Sequence, residues 1–135
     1  MTNFLSSFIS GATVTVADDT LTANETTTST TFVDSGLSVT IPNITGGSYV
    51  LSGSLQHSNT ASNANEHFQP DIDLGAETAN RAAAANVIAS CPVIGTGVAD
   101  GRTLTIVKHT TAGTQNLFGD AAGDRASGII VLGIG

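Results

Sequence analysis

Apolar and polar residues alternate with period two along much of the chain. The alternation is clear at residues 13–16 and 37–41, where Leu37, Val39 and Ile41 fall on one side of the repeat. Because successive side chains of a strand point to opposite faces of the sheet, such runs predict β-strands with one buried face. Further inward-facing residues are predicted from two more segments with the same repeat: Tyr49, Leu51, Leu55, Leu104 and Ile106.

Three other segments are strand candidates on weaker patterns. Residues 30–33 and 68–74 are the first two, and Pro70 predicts that the second lies at a sheet edge, because proline has no N–H for the ladder. The run at residues 128–135 is apolar on both faces of its repeat. A strand of that kind needs a cover on each side, and a neighbouring subunit is a candidate for the second cover.

Glycine, aspartate and asparagine mark the breaks between these runs. Residues 34–36 predict a tight connection between two strands, and residues 43–47 open the next strand. Asp-Gly at residues 100–101 favours a hairpin turn. Residues 77–85 are compatible with one or two helical turns or with an irregular loop. The pattern as a whole predicts an all-β fold, an antiparallel β-sandwich of jelly-roll type with about eight or nine strands.

Length and composition agree with this fold class. At 135 residues the chain has the size of one domain. Thr and Ser are abundant and charged residues make up only 11%, which favours half-exposed strands over helices. We expect one sandwich domain over residues 12–135, preceded by an N-terminal arm or first strand at residues 1–11.

The charge balance disfavours two classes of partner. Eleven acidic and four basic residues give a net charge of −7, which repels phosphate backbones and anionic lipid headgroups. We therefore expect neither nucleic acid nor a membrane as partner. The N-terminus lacks a basic region before its short apolar stretch, so we expect a soluble protein that does not use a signal peptide.

Catalytic signatures are missing from the sequence. It contains no Gly-x-Ser-x-Gly elbow, its three histidines lack metal-ligand spacing, and its one cysteine, Cys91, is expected to be a small buried residue. Asp71 and Asp73 would share one face of a strand close to Glu66 and His67, where they are weak candidates for a calcium site; a solvated strand face is the favoured interpretation. We expect no enzymatic activity and no cofactor.

One apolar cluster precedes the alternating strands, and it consists of Phe4, Leu5, Phe8 and Ile9. It has two interpretations. The cluster is either a first strand or plug of the core, or an arm that lies across a neighbouring protein, since a terminus is rarely ordered unless something holds it.

Residues 25–42 carry a resemblance to a known group of proteins. They consist of a Thr/Ser run, Phe32, and then Asp-Ser-Gly-Leu-Ser-Val-Thr-Ile-Pro. This order resembles the opening of a β-sandwich found in tailed-phage virion proteins, and residues 129–134 resemble the short apolar strand that closes such domains. Residues 58–85 have no counterpart. The resemblance implies a trimeric, jelly-roll-like module on a fibre or on a capsid.

Of these two locations the capsid is the better fit, because a chain of one domain with an apolar arm and no catalytic motif is typical of a capsid decoration (cement) protein. We therefore expect a homotrimer that binds the major capsid protein and stabilises the phage head, on the capsid surface of the virion after synthesis in the host cytoplasm. The arm residues would attach it to the capsid. The predicted trimer interface comprises Ile129, Ile130, Val131, Leu132 and Ile134. The alternative is a tail-fibre or receptor-binding, carbohydrate-binding tip, against which the scarcity of aromatic residues argues.

Overall fold

The chain folds into strands throughout the part that can be described. The computed structural model describes residues 14–71, 79–82, 85–119 and 126–135, and these residues form ten strands and no helix. The strands are β1 (Val14–Thr20), β2 (Glu25–Thr27), β3 (Val33–Thr40), β4 (Asn43–Asn59), β5 (Asn65–Asp71), β6 (Ala79–Ala82), β7 (Ala89–Asp100), β8 (Thr103–Thr110), β9 (Gln115–Leu117) and β10 (Gly128–Ile134). The count exceeds the predicted eight or nine because β2, β6 and β9 are only three or four residues long.

Two antiparallel sheets face each other. Sheet I has the order β1-β10-β4-β7, and the short strands β9 and β2 extend it beside the end of β4. Sheet II has the order β3-β8-β5-β6. The chain passes repeatedly from one sheet to the other, as from β3 to β4 and from β7 to β8. This strand order is that of a jelly roll, so the predicted fold class is confirmed.

The core lies between the sheets and consists largely of one side of the alternating runs in β3, β4 and β8, whereas the prediction of a buried face at residues 13–16 is wrong, because Val14 and Val16 are exposed. Leu37, Val39 and Ile41 are buried, as the period-two pattern predicts. The predicted inward-facing residues of β4 and β8 are buried as well: Tyr49, Leu51, Leu55, Leu104 and Ile106. Burying an aliphatic side chain of this size contributes roughly 1.5–3 kcal/mol, so these residues supply much of the stabilisation of the sandwich.

The segment at residues 34–36 is not a connection between strands. It lies within β3, where the pairing with β8 shifts register between Asp34 and Ser38. Gly36 has a φ of +87°, and its N–H donates a hydrogen bond of 2.7 Å to Asp34 Oδ1. Glycine at a positive φ, and an aspartate that accepts a hydrogen bond from the backbone two residues on, occur in some β-bulges as well as in turns, so these residues are compatible with both.

The Asp-Gly sequence at residues 100–101 forms a turn, but not a hairpin. Gly101 has a φ of +81°, as expected for such a turn. The strands that it joins do not pair, because β7 belongs to sheet I and β8 to sheet II. The turn is therefore a corner between sheets. Arg102 Nε lies 2.7 Å from Asp100 Oδ2, and this hydrogen-bonded guanidinium lowers the pKa of the Asp100 carboxyl.

Three smaller expectations also need correction. Residues 30–32 are not a strand, since β3 begins at Val33. Ala79–Ala82 is a strand, although helical turns were one option for that stretch. The predicted edge is limited to residues 69–71 of β5, which include Pro70 and pair with β8 alone in the described part of the chain, whereas residues 66–68 lie between β8 and β6 and residues 72–74 lie outside the described residues.

Candidate functional site

The outward face of sheet I is unusually apolar. The register places Val16, Leu132 and Val50 side by side on β1, β10 and β4. Rows on either side of this one align further apolar residues, because directly paired residues of antiparallel strands share a face. We call this surface the apolar face; its members are Val14, Val16, Val50, Ile94, Val98, Ile130, Leu132 and Ile134. All of them are exposed except Leu132, which is half-buried.

The predicted trimer-interface residues on β10 divide between the two sides of the strand. Ile129 and Val131 belong to the core and are 3% and 0% exposed. Ile130, Leu132 and Ile134 lie on the apolar face. Among the described residues of one copy, the strand is covered on its inner side only. The role of the outward three residues in a trimer stays a prediction.

Small side chains make depressions in the apolar face. One, of about 570 Å³, is lined by Val50, Ser52, Ile94 and Thr96 together with backbone atoms of the same two strands. A second, of about 380 Å³, lies between β1, β10 and β4 around Ser54. Both are open and shallow, so their shape suits a protruding side chain of another protein better than an enclosed small molecule.

The predicted capsid-attachment arm lies outside the described residues. Phe4, Leu5, Phe8 and Ile9 precede Val14, the first residue of β1. Val14 is itself part of the apolar face and pairs with Ile134.

A buried polar cluster occupies one end of the sandwich interior. His57 of β4 and Glu66 of β5 are 1% and 0% exposed, and His57 Nδ1 donates a hydrogen bond to Glu66 Oε2. Phe68 packs edge-on against the imidazole, with ring centroids 5.5 Å apart. Among the described residues, neither His57 Nε2 nor Glu66 Oε1 has a hydrogen-bond partner. The pair joins sheet I to sheet II through the core, and its burial leaves no access for a substrate.

Lys108 adds a cation to this cluster. It lies on the inner face of β8, is 1% exposed, and its Nζ has no hydrogen-bond partner among the described residues. Burial lowers the pKa of Lys108 to about 8, although the carboxylates of Glu25, Asp34 and Glu66 partly offset the effect by favouring the charged form. The three carboxylates therefore offset only part of the cost of burying the charged amine, and desolvation remains the larger effect.

The other two histidines lie on the outward face of sheet II. His67 and His109 are directly paired across β5 and β8, and their rings stack with centroids 4.2 Å apart. Phe32 meets His109 edge-on at 4.4 Å. Glu66 points into the core while its neighbour His67 points outward, so the expected grouping of these two side chains does not occur.

The weak metal candidates do not form a site in the described part of the chain. Asp71 is half-buried at the end of β5, and Asp73 lies outside the described residues. No group of three His, Cys, Asp or Glu side chains that could hold a metal ion occurs among the residues described. Cys91 is buried in the core, as its sequence context predicts. No helix in the described ranges is long and apolar enough to cross a membrane.

Sequence analysis identified only part of this surface. The outward residues of β10 were predicted, whereas Val16, Val50, Ile94 and Val98 were not. The signal for β7 was available, since its inner positions include Gly95 and Gly97 while large aliphatic residues occupy outward positions. A strand with small residues on its inner side and large aliphatic residues on its outer side indicates an apolar contact on the outer face in addition to the core.

Comparison with known proteins shows the fold and nothing more specific. No protein-family model and no characterised protein matches the sequence. The Eiger TNF of S. frugiperda matches with a TM-score of 0.54 and 9% identity over 88% of this chain and 91% of that one. Murine APRIL (TM-score 0.49, 11% identity, 87% and 98% covered) and the VP2 subviral particle of infectious bursal disease virus (0.43, 12%, 92% and 33%) also match. The first of these similarities confirms a jelly-roll β-sandwich.

Proposed function

We propose that the chain is a non-enzymatic structural protein of a virion, a capsid decoration protein that stabilises a phage head as a homotrimer. The observation that carries the proposal is the apolar face: an exposed sheet surface suited to a protein contact, on a jelly roll of one domain. Its partners would be other copies of itself and the major capsid protein. Stabilisation would come from contact area added to the assembled shell.

The chemistry of the other groups supports contact rather than catalysis. The imidazole and carboxylate of His57 and Glu66 are hydrogen-bonded to each other inside the core. The stacked His67 and His109 lie on a sheet face with no serine elbow or thiol beside them in the sequence. A hydrolytic site needs a nucleophile, a base and an orienting group that substrate can reach, and these residues do not supply one.

The arm is the proposed attachment element. Residues 1–13 carry no charged side chain, and Phe4, Leu5, Phe8 and Ile9 are the residues proposed to contact the capsid. Burial of each is worth roughly 1.5–3 kcal/mol, so four of them would supply much of the free energy of a micromolar contact.

Two measurements test this proposal. Labelling virions with an antibody raised against the purified chain should mark heads; a label confined to tails would favour the fibre or receptor-binding alternative. Co-sedimentation with undecorated capsids of the labelled phage then tests attachment. Deletion of residues 2–10 should leave the circular dichroism spectrum unchanged and abolish co-sedimentation. A folded deletion variant that still binds, or one that unfolds, would refute the arm.

A further inference from the structure

The apolar face holds most of the exposed hydrophobic side chains in the described residues. Seven of the ten large ones lie on it: Val14, Val16, Val50, Ile94, Val98, Ile130 and Ile134. Three ranks of side chains on four strands cover roughly 19 Å by 20 Å, or about 400 Å². This area is of the size of the largest apolar patch on a typical monomer, and such patches are often functional contacts.

The distribution of charge indicates what covers it. Among the outward residues of the four strands only Asp18 and Asp100 are charged, and both lie at the margins. Copies of a chain with a net charge of −7 repel each other, and a symmetric assembly brings equivalent surfaces close together. A neutral face is where that repulsion is smallest. A partner of opposite charge would instead be bound through the acidic surface.

The relief of the face is complementary to itself. Ile94 and Val98 form a ridge on the edge strand β7 and are 66% and 62% exposed. Beside Ile94, the small Ser52 of β4 leaves a valley, the 570 Å³ depression, which Val50 and Thr96 also line. The β7 ridge of one copy has the size and polarity to occupy the β4 valley of another.

We infer that the apolar face is the surface through which copies of this chain pack on one another, with the β7 ridge of each copy in the β4 valley of the next. This inference rests on the homotrimer in the proposed function and assigns its interface. A two-fold stack of the faces would bury only about 400 Å² per copy, against about 800 Å² per partner in a stable interface. A ridge-to-valley contact joins different surfaces and propagates until it closes, so in a ring of three each copy has one neighbour on its ridge and another on its valley. The remaining contact area would come from surface beyond the apolar face.

Charged substitutions on the ridge test this assignment. Ile94→Lys and Val98→Lys change exposed side chains, so each monomer should keep its fold. Thr103→Lys and Thr40→Lys are matched controls, exposed on the outward face of sheet II. Sedimentation equilibrium should give a trimer mass for the unaltered chain and both controls. Both ridge variants should still have the monomer mass at concentrations at least 100-fold above the one at which the unaltered chain forms the trimer. Circular dichroism and thermal unfolding of each variant show whether it has folded.

The outcomes separate this assignment from the proposed function. Folded ridge variants that keep the trimer mass would overturn the assignment. If they keep that mass but no longer co-sediment with capsids, the face contacts the shell, and only the assignment fails. A third outcome is that the variants become monomers while the unaltered trimer does not bind capsids and the antibody against it does not label virions. In that case the assignment holds and the decoration function fails. Should Ile94→Lys not fold, Ile94→Ser provides the same test, with the same trimer mass contradicting the assignment.

Discussion

The two sheets of this sandwich distribute their side chains in opposite ways. Sheet II presents hydroxyl, imidazole and carboxylate groups outward, as at Ser38, Thr105 and His67, and carries Glu66 and Lys108 on its inner face. Sheet I has aliphatic side chains on both faces over much of its area. In an isolated sandwich the inner faces would be apolar and both outer faces polar.

The two sheets depart from that pattern in different ways: sheet II has polar groups on its inner face, and sheet I has aliphatic groups on its outer face. The polar groups inside sheet II interact within the chain, since Glu66 is bonded to His57 and the carboxylates of Glu25, Asp34 and Glu66 partly offset the effect of burial on Lys108. The aliphatic outer face of sheet I is not covered by any of the described residues. The comparison shows that, within the described residues, the outer face of sheet I is left uncovered; its partner is the one proposed above.

The largest expected effect comes from removing the acidic member of the buried cluster. Glu66→Gln leaves the charge of Lys108 less compensated and weakens the bond to His57, so we expect the free energy of unfolding to fall by about 3 kcal/mol. Urea unfolding measures it. Asp18→Asn, which neutralises an exposed carboxylate on sheet I, should change it by less than about 0.5 kcal/mol. Equal effects of the two substitutions would show that the cluster is not a compensated ion group.

A smaller effect concerns the pH dependence of stability. The folded protein releases the Lys108 proton near pH 8, whereas the unfolded chain keeps it up to about 10.5. Between these values the unfolded state binds more protons, so the free energy of unfolding should rise with pH, by on the order of 2 kcal/mol. Lys108→Met should lack this rise. The free energy of unfolding of both proteins is measured by urea unfolding between pH 7 and 10.5. If it changes with pH in the same way for both, the lowered pKa of Lys108 is contradicted.

Three alanine substitutions in β7 compare the two faces of sheet I. A Cβ on Gly97 would lie 2.6 Å from Tyr49 Cε1 on the inner side, so Gly97→Ala should cost about 1–2 kcal/mol of unfolding free energy. Gly95→Ala faces Leu51 at 3.6 Å, an ordinary contact, and should be tolerated. Thr96→Ala, between them on the outer side, should leave the stability of a monomer unchanged. Thermal unfolding at low protein concentration tests all three, and a Thr96 effect as large as that of Gly97 would show that the outer face belongs to the core.

Sequence patterns predicted the parts of the fold that depend on local periodicity. The inward residues of β3, β4 and β8 follow from period two, because a strand with one buried face must alternate. The connections were harder to predict. Asp34 and Gly36 suit a bulge as well as a turn, and Asp100 with Gly101 turns the chain equally well within a sheet or between sheets.

The candidate site was predicted only where one strand carried it. β10 is apolar on both sides of its own repeat, so residues such as Ile130 could be assigned to an outer contact. Val16, Val50 and Ile94 are isolated outward residues in the sequence. They become one surface because β1, β10, β4 and β7 are neighbours, and strand order comes from pairings between distant segments. The bond between His57 and Glu66 was missed for the same reason.

The mass of the unaltered chain in solution tests the central claim most directly. Sedimentation equilibrium at micromolar concentrations should give three times the chain mass of 13.5 kDa, because the apolar face of each copy is covered by another. A stable monomer of 13.5 kDa over the same range of concentrations would contradict self-association through sheet I.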